Sequence, residues 1–453
     1  MGKYTEFLSN PNMDVEQKSA KLRSEILKLV GEYSQITHKS KDFQPGKLSI
    51  PCSGRVFGPK EVEMLVSSSL DFWLTTGRFN EKFENELEQF IGVNFVSTNN
   101  SGSSSNLLAL TSLTSSEFED RALKPGDEVI SVAACFPTTV NPIIQNNLIP
   151  VFVDIEFPTY NIDSNLIEDA ISEKTKAIML AHTLGNPFDL NTVMQLAKKH
   201  NLWVIEDCCD ALGSKYNGKN VGTFGDVGTA SFYPAHHITT GEGGATFTNN
   251  AKIKRSIESF RDWGRDCFCP PGVNNTCGKR FCQNFEGLPE GYDHKFTYSQ
   301  IGYNLKFTDM QAAVGLSQLE RIDYFIKKRK ENFKWLSDSF KSLEEYFVLP
   351  EATKNSDPSW FGFPLLIKEN ASFSLNELNS FLAIKGVDTR PIFAGNITKQ
   401  PYFKNVEYRI SGNLKNTDIL MNNSFWIGVY PGLTEDMLNY VFKTIKGFVQ
   451  DHN

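Results

Sequence analysis

The sequence predicts a two-lobed α/β protein whose larger lobe is a right-handed, doubly wound sheet. Three observations carry this. From about residue 58, helical stretches alternate with short apolar runs, the pattern of strand–helix–strand units. The runs Val93–Ser97, Glu128–Val132, Pro150–Val153, Ala177–Leu180 and Leu202–Ile205 are rich in Val, Ile and Leu, as strands covered on both faces are. The chain has 453 residues, more than one hydrophobic core usually holds.

Taken in order, residues 14–36 place Val15, Leu22, Ile26, Leu29 and Val30 at helical spacing, which reads as an amphipathic helix. Lys39 to Gly46 is polar and loop-like. Asn99-Asn-Ser-Gly-Ser-Ser is a small-residue turn between a strand and a helix that includes Asn106–Leu113. Residues 260–300 break the alternation with Cys, Pro, Gly and Asn, which suggests an insertion with little regular structure. Helical spacing resumes from Thr308 to about Lys334, and the remainder reads as a smaller α/β lobe. The expected division is an N-terminal helical segment over 1–50, a large domain over 51–320 and a small domain over 321–453. No internal repeat or low-complexity tract interrupts it.

Composition excludes some functions. A net charge of −7 with no basic stripe argues against nucleic acid as the main partner. No apolar run approaches the roughly 20 residues that span a bilayer, and the N-terminus lacks a signal-peptide pattern. A cytoplasmic protein with reduced thiols is expected, so the eight cysteines are not read as disulfides.

Several residues suggest a site for a phosphorylated aromatic cofactor. Val204-Ile-Glu-Asp puts Asp207 at the carboxyl end of an apolar strand; it reads as a cap or loop carboxylate, or as the acid facing a protonated pyridine nitrogen. Gly102 and Ser103 begin a helix whose free amides suit a phosphate, although many such turns merely turn. Ser231 offers a further hydroxyl, and Phe136 offers a ring for stacking or for packing. Residues 231–244 read Ser-Phe-Tyr-Pro-Ala-His-His-Ile-Thr-Thr-Gly-Glu-Gly-Gly.

These stretches resemble the sugar aminotransferase (DegT/DnrJ/EryC1/StrS) superfamily from Pro51 to the C-terminus. Matching segments are Trp73-Leu-Thr-Thr-Gly-Arg-Phe, Gly102-Ser-Ser, His182-Thr-Leu-Gly-Asn-Pro and Glu206-Asp, then Gly218-Lys-Asn-Val-Gly-Thr-Phe-Gly-Asp and Gly302-Tyr-Asn-Leu-Lys-Phe-Thr-Asp-Met-Gln-Ala-Ala. The resemblance implies a type I aspartate-aminotransferase fold with a mixed, mostly parallel sheet. It also implies that Asp207 meets the cofactor nitrogen, that Gly102, Ser103 and Ser231 hold its phosphate, and that Asn304 reaches the phosphate of a neighbouring subunit in a homodimer. Asn186 stands where relatives often have Gln, and its role stays open.

One position departs from the family. Where those enzymes carry the lysine that bonds pyridoxal phosphate (PLP), this chain has His236. A group of nucleotide-sugar 3-dehydratases within the superfamily shares the histidine. There pyridoxamine phosphate (PMP) is held without a covalent bond, and the histidine removes a proton from the cofactor C4′ as the sugar loses its C3 hydroxyl. An imidazole has a suitable pKa for that transfer.

The cysteines extend the resemblance. Cys209, Cys267, Cys269 and Cys277 are separated by 57, one and seven residues. Read alone, the set suits zinc or a 2Fe–2S cluster, with Cys208 or Cys282 as substitutes for one ligand. The spacing resembles the iron–sulfur signature of the branch that acts on CDP-4-keto-6-deoxyglucose, which implies a 2Fe–2S cluster and C3 deoxygenation on the way to 3,6-dideoxyhexoses of the lipopolysaccharide O-antigen. Electrons would come from a separate flavin and iron–sulfur NADH-dependent reductase, since no Gly-x-Gly-x-x-Gly fingerprint is present. The alternatives are a GDP-4-keto-6-deoxymannose 3-dehydratase with structural cysteines, and a PLP-dependent aminotransferase whose lysine lies elsewhere. Arg390 is expected near the nucleotide-sugar pocket, either paired with the diphosphate or in a surface ion pair.

Overall fold

In the computed structural model, residues 11–38 and 43–452 are described. The expected loop from Lys39 begins with residues 39–42, outside the described residues, as do residues 1–10 and 453.

The leading helix forms as α1 (Val15–Thr37), started by a capping box in which Asp14 accepts from the Gln17 amide. Its apolar stripe is not its buried side: Val15, Ile26 and Leu29 stay exposed, while Gly31 and Ser34 are buried. The small residues let α1 approach α2 (Pro59–Asp71) closely, and Arg23 bonds Asp71 at 2.6 Å.

The body follows as α3 (Arg78–Ile91), β1 (Phe95–Asn99), α4 (Gly102–Ser112), β2 (Glu128–Val132), α5 (Pro137–Gln145), β3 (Ile149–Val153), β4 (Thr175–Ala181), α6 (Leu190–His200), β5 (Trp203–Asp207), β6 (Val227–Ser231), β7 (Gly244–Thr248) and α7 (Ala251–Arg261). The expected strand at 93–97 begins two residues later, because Gly92 ends α3 in the left-handed conformation and pairing starts at Phe95 with Thr248. After the insertion come α8 (Asp309–Leu319), α9 (Ile322–Phe340), β8 (Phe347–Val348), β9 (Gly362–Ile367), α10 (Leu375–Ile384), β10 (Arg409–Ile410), α11 (Lys415–Asn423), β11 (Ser424–Gly428) and α12 (Glu435–Asp451).

The central sheet runs β1-β7-β6-β5-β4-β2-β3-β10. Only β7 is antiparallel to its neighbours, so the sheet is mixed and mostly parallel. Side chains alternate between two apolar layers. Val129, Ala177, Met179 and Ile205 pack with Leu108 and Ile257, while Ile130, Ile178, Leu180 and Val204 pack on the opposite face. Both faces are dry, which is why these strands read as continuous apolar runs rather than as alternation. Past α9, the antiparallel sheet β8-β9-β11 carries a separate core built on Phe340, Phe363, Leu365, Phe425 and Ile445.

Residues 262–308 contain only a short 3-10 turn at 294–296, as the sequence suggests for the insertion. Among the described residues, no helix is long and apolar enough to cross a membrane.

Candidate active site

Strand alternation separates the two acids of Glu206-Asp207. Glu206 points into the interior, where its oxygens accept from the amides of Gly222, Phe224 and Gly225 at 2.7, 2.9 and 2.6 Å, with His182 Nε2 at 3.1 Å. Three matched sequence segments therefore meet in one buried pin that fixes the end of β5. Cys208 lies on that side, buried, its thiol donating to the Glu206 carbonyl.

Asp207 points the other way, into a cavity of about 650 Å³ at the carboxyl ends of β4, β5 and β6. Its Oδ2 accepts from Asn106 Nδ2 and Thr139 Oγ1, both at 2.8 Å, and its Oδ1 accepts from the Cys209 amide at 3.1 Å. Three donors thus converge on this one carboxyl and fix its orientation.

The start of α4 lines the same cavity. Ser101 caps the Ser104 amide, which leaves the first-turn amides of Gly102 and Ser103 without helical acceptors. Only glycine fits at 102, since a Cβ there would lie 2.4 Å from Ser231 Cβ and 2.7 Å from its Oγ. Phe136, half-exposed at the N-cap of α5, lines the cavity as well. An anion cradle, a carboxylate and an available aromatic face fit a phosphorylated pyridine such as PLP or PMP.

His236 lines the same cavity, and no lysine does among the described residues. Its Nδ1 lies 3.4 Å from Asp210 Oδ1 without the alignment of a hydrogen bond, and its ring rests against Phe361 at 5.2 Å. Burial raises the Asp210 pKa, opposed by the neighbouring His236.

The structure thus brings Gly102, Ser103, Phe136, Asp207, Cys209, Ser231, His236 and Arg390 together around one cavity. Asn304 is exposed and outside it. Asn186 is outside too: its side chain bonds the Thr159 and Glu351 carbonyls and the Thr353 amide. Arg390 pairs with Asp388 at the rim. Sequence reasoning missed Asn106, Thr139, Asp210, Phe361 and Trp426, which reach the site from separate elements. Asp210, Asn106 and Thr139 carried a signal of proximity, each lying three or four residues past a candidate, Asp207, Gly102 and Phe136 respectively.

The four cysteines divide. Cys209 faces Gly102 within the cavity, and its thiol is pushed well up by burial and then by Asp207. Cys267, Cys269 and Cys277 sit in the insertion, where the Cys269 amide donates to Cys267 Sγ at 3.4 Å and Cys277 Sγ lies 3.9 Å from His294 Nδ1. Burial opposes ionisation of Cys269, but hydrogen bonds from Thr276 prevail and lower its pKa to about 7. Among the described residues, no three of these four sulfurs lie within 4.8 Å of one another.

Fold and cavity define a type I PLP-dependent aminotransferase architecture. The chain belongs to the DegT/DnrJ/EryC1/StrS aminotransferase family, whose description matches residues 58–446. It is 60% identical to the lipopolysaccharide biosynthesis protein RfbH of Salmonella typhimurium, over 94% of this chain and 98% of the relative. It is 49% identical to the dTDP-4-dehydro-2,6-dideoxy-D-glucose 3-dehydratase of Saccharopolyspora spinosa, over 94% and 92%. The solved structure of the E. coli GDP-4-keto-6-deoxy-D-mannose-3-dehydratase with bound hydrated PLP superposes with a TM-score of 0.79 at 28% identity, covering 88% of this chain and 100% of that one.

Proposed function

We propose that this protein is a PMP-dependent dehydratase that removes the C3 hydroxyl of a nucleotide-linked 4-keto-6-deoxyhexose. The observation that carries the reading is His236 lining a cofactor-shaped cavity that no lysine enters. The two named 3-dehydratases among the similar proteins support it.

When bound, PMP supplies an amine for the C4 ketone and a ring that takes up electron density. Gly102, Ser103 and Ser231 would hold its phosphate. Asp207, oriented by Asn106, Thr139 and the Cys209 amide, would face the ring nitrogen. With Nδ1 turned to Asp210, His236 has Nε2 left to take the proton from the cofactor C4′. A lysine in its place would bond the cofactor instead. Phe361 and Trp426 cover the sugar side, and Arg390 at the rim suits the diphosphate.

The finer reading assigns CDP-4-keto-6-deoxyglucose as substrate, a homodimer in which Asn304 serves the second copy, and a 2Fe–2S cluster on Cys209, Cys267, Cys269 and Cys277 fed by the reductase. It requires Cys209 to be joined to the other three sulfurs, and no electron step is derived through them.

The test incubates PMP-loaded protein anaerobically with the CDP-, dTDP- and GDP-4-keto-6-deoxy sugars, with and without a one-electron donor, beside iron and sulfide analysis. C3–O cleavage in wild type that is lost in His236→Asn, with PMP binding retained, is the expected result. A borohydride-trapped lysine–PLP adduct would refute the reading.

A further inference from the structure

We propose that Arg329 is a positioning residue for His236, holding the base from behind its backbone. The proposal rests on the reading of His236 as the base.

Arg329 lies on α9, outside the cavity lining, and is 1% exposed. One terminal nitrogen points to the carbonyls of Trp360 and Phe361, both at 3.3 Å. The other points to the carbonyls of Ala235 and His236, at 3.4 and 3.1 Å. Residues 234–237 form no helix or strand, so these carbonyls have no ladder partner. A planar guanidinium is the side chain that offers donors along two diverging edges at once.

The two segments it joins are the ones that set the imidazole. Residues 235–236 carry the base, and Phe361 lies against its ring. Asp210 approaches the ring from another side, at Nδ1. His236 is therefore confined by a carboxylate, an aromatic wall and a backbone clamp, and Arg329 determines the last two.

Charge pairing does not explain the arrangement. Among the described residues no carboxylate lies within 4.0 Å of Arg329, and its Nε has no partner. Burial lowers its pKa to about 10, opposed by Asp210, so it remains a cation at neutral pH. A buried cation without an ion pair is costly and calls for a role that its geometry supplies. The join between the segments has a second staple, His237 Nε2 at 2.8 Å from the Ser359 carbonyl, which remains when Arg329 is changed.

The test compares Arg329→Gln and Arg329→Lys with wild type in the full, PMP-loaded chain. Measured are PMP affinity, thermal midpoint, KM and kcat for C3–O cleavage, and solvent exchange of the cofactor C4′ hydrogen with substrate present. Misplacing a reacting group by about 1 Å can cost on the order of 100-fold. We expect kcat and C4′ exchange to fall together by about 10- to 100-fold in Arg329→Gln and less in Arg329→Lys, with PMP affinity and KM within about threefold. Wild-type kcat in a folded Arg329→Gln would overturn the proposal. So would failure of both variants to fold, or parallel loss of thermal midpoint, PMP affinity and kcat, which would assign Arg329 to the fold alone. Wild type that cleaves none of the sugars would instead refute His236 as the base.

Discussion

Gly102→Ala tests the phosphate end of the cavity without reference to any substrate. The new Cβ would lie 2.4 Å from Ser231 Cβ, 2.7 Å from its Oγ and 3.1 Å from Cys209 Sγ. Carbon atoms in contact sit about 3.5–4.0 Å apart, so Ser231 must retreat by roughly 1 Å or more. It has little room. Ser231 ends β6 in register with Gly244, where a Cβ would already lie 2.5 Å from Ser105 Oγ and 2.6 Å from the Ser101 backbone. Overpacking of this kind costs about 1–3 kcal/mol of stability. Moving Ser231 Oγ off the phosphate also loses a hydrogen bond to a charged group, about 1.5–3 kcal/mol, or roughly a 10- to 100-fold weaker affinity. Equilibrium dialysis of PLP and PMP, with thermal melts, measures both effects. Adding Ser231→Gly removes the clash, so stability should recover while affinity stays low. PLP and PMP affinity within twofold of wild type in Gly102→Ala would refute the assignment of this turn to phosphate.

Three further outcomes are expected. Glu206→Ala leaves three amides and the buried His182 without their acceptor, and should cost about 3–5 kcal/mol or prevent folding; a denaturant midpoint near wild type would contradict the pin. The Asp210 pKa is raised in the folded state, so its contribution is present below the ordinary value of 3.8 and lost as pH rises through the raised value. Asp210→Asn should remove that decline, seen as a flatter curve of stability against pH above about 4; an unchanged curve would count against it. If the cysteine set binds a cluster, Cys269→Ser should lower iron and sulfide content while PMP affinity stays within about threefold, because Cys269 lies outside the cofactor cavity.

Much of the site was legible because it sits at strand and helix ends whose pattern is local. Asp207 follows an apolar run, Gly102 opens a helix, and His236 keeps a fixed offset from Ser231. The strands β6 and β7 escaped notice because they are written in Gly, Ala, Thr and Ser. Small residues are needed where α4 crowds the sheet, and they erase the apolar signal that marks the other strands. The apolar stripe of α1 announced a helix but not its buried side, which close approach at Gly31 decides.

The sequence by itself determined the fold class, the order of the elements it marked and the exchange of a lysine for His236. These depend on periodicity and on short motifs, which are properties of neighbouring residues. Only the tertiary structure decided what surrounds those residues. Asn106 and Thr139 come to Asp207 from two different helices, Phe361 and Arg329 come to His236 from beyond residue 320, and Cys209 is drawn into the cofactor cavity while the other three thiols stay in the insertion. Such partners meet because burial leaves each polar group to find a hydrogen bond wherever the packed layers provide one, and that choice carries no periodic mark along the chain.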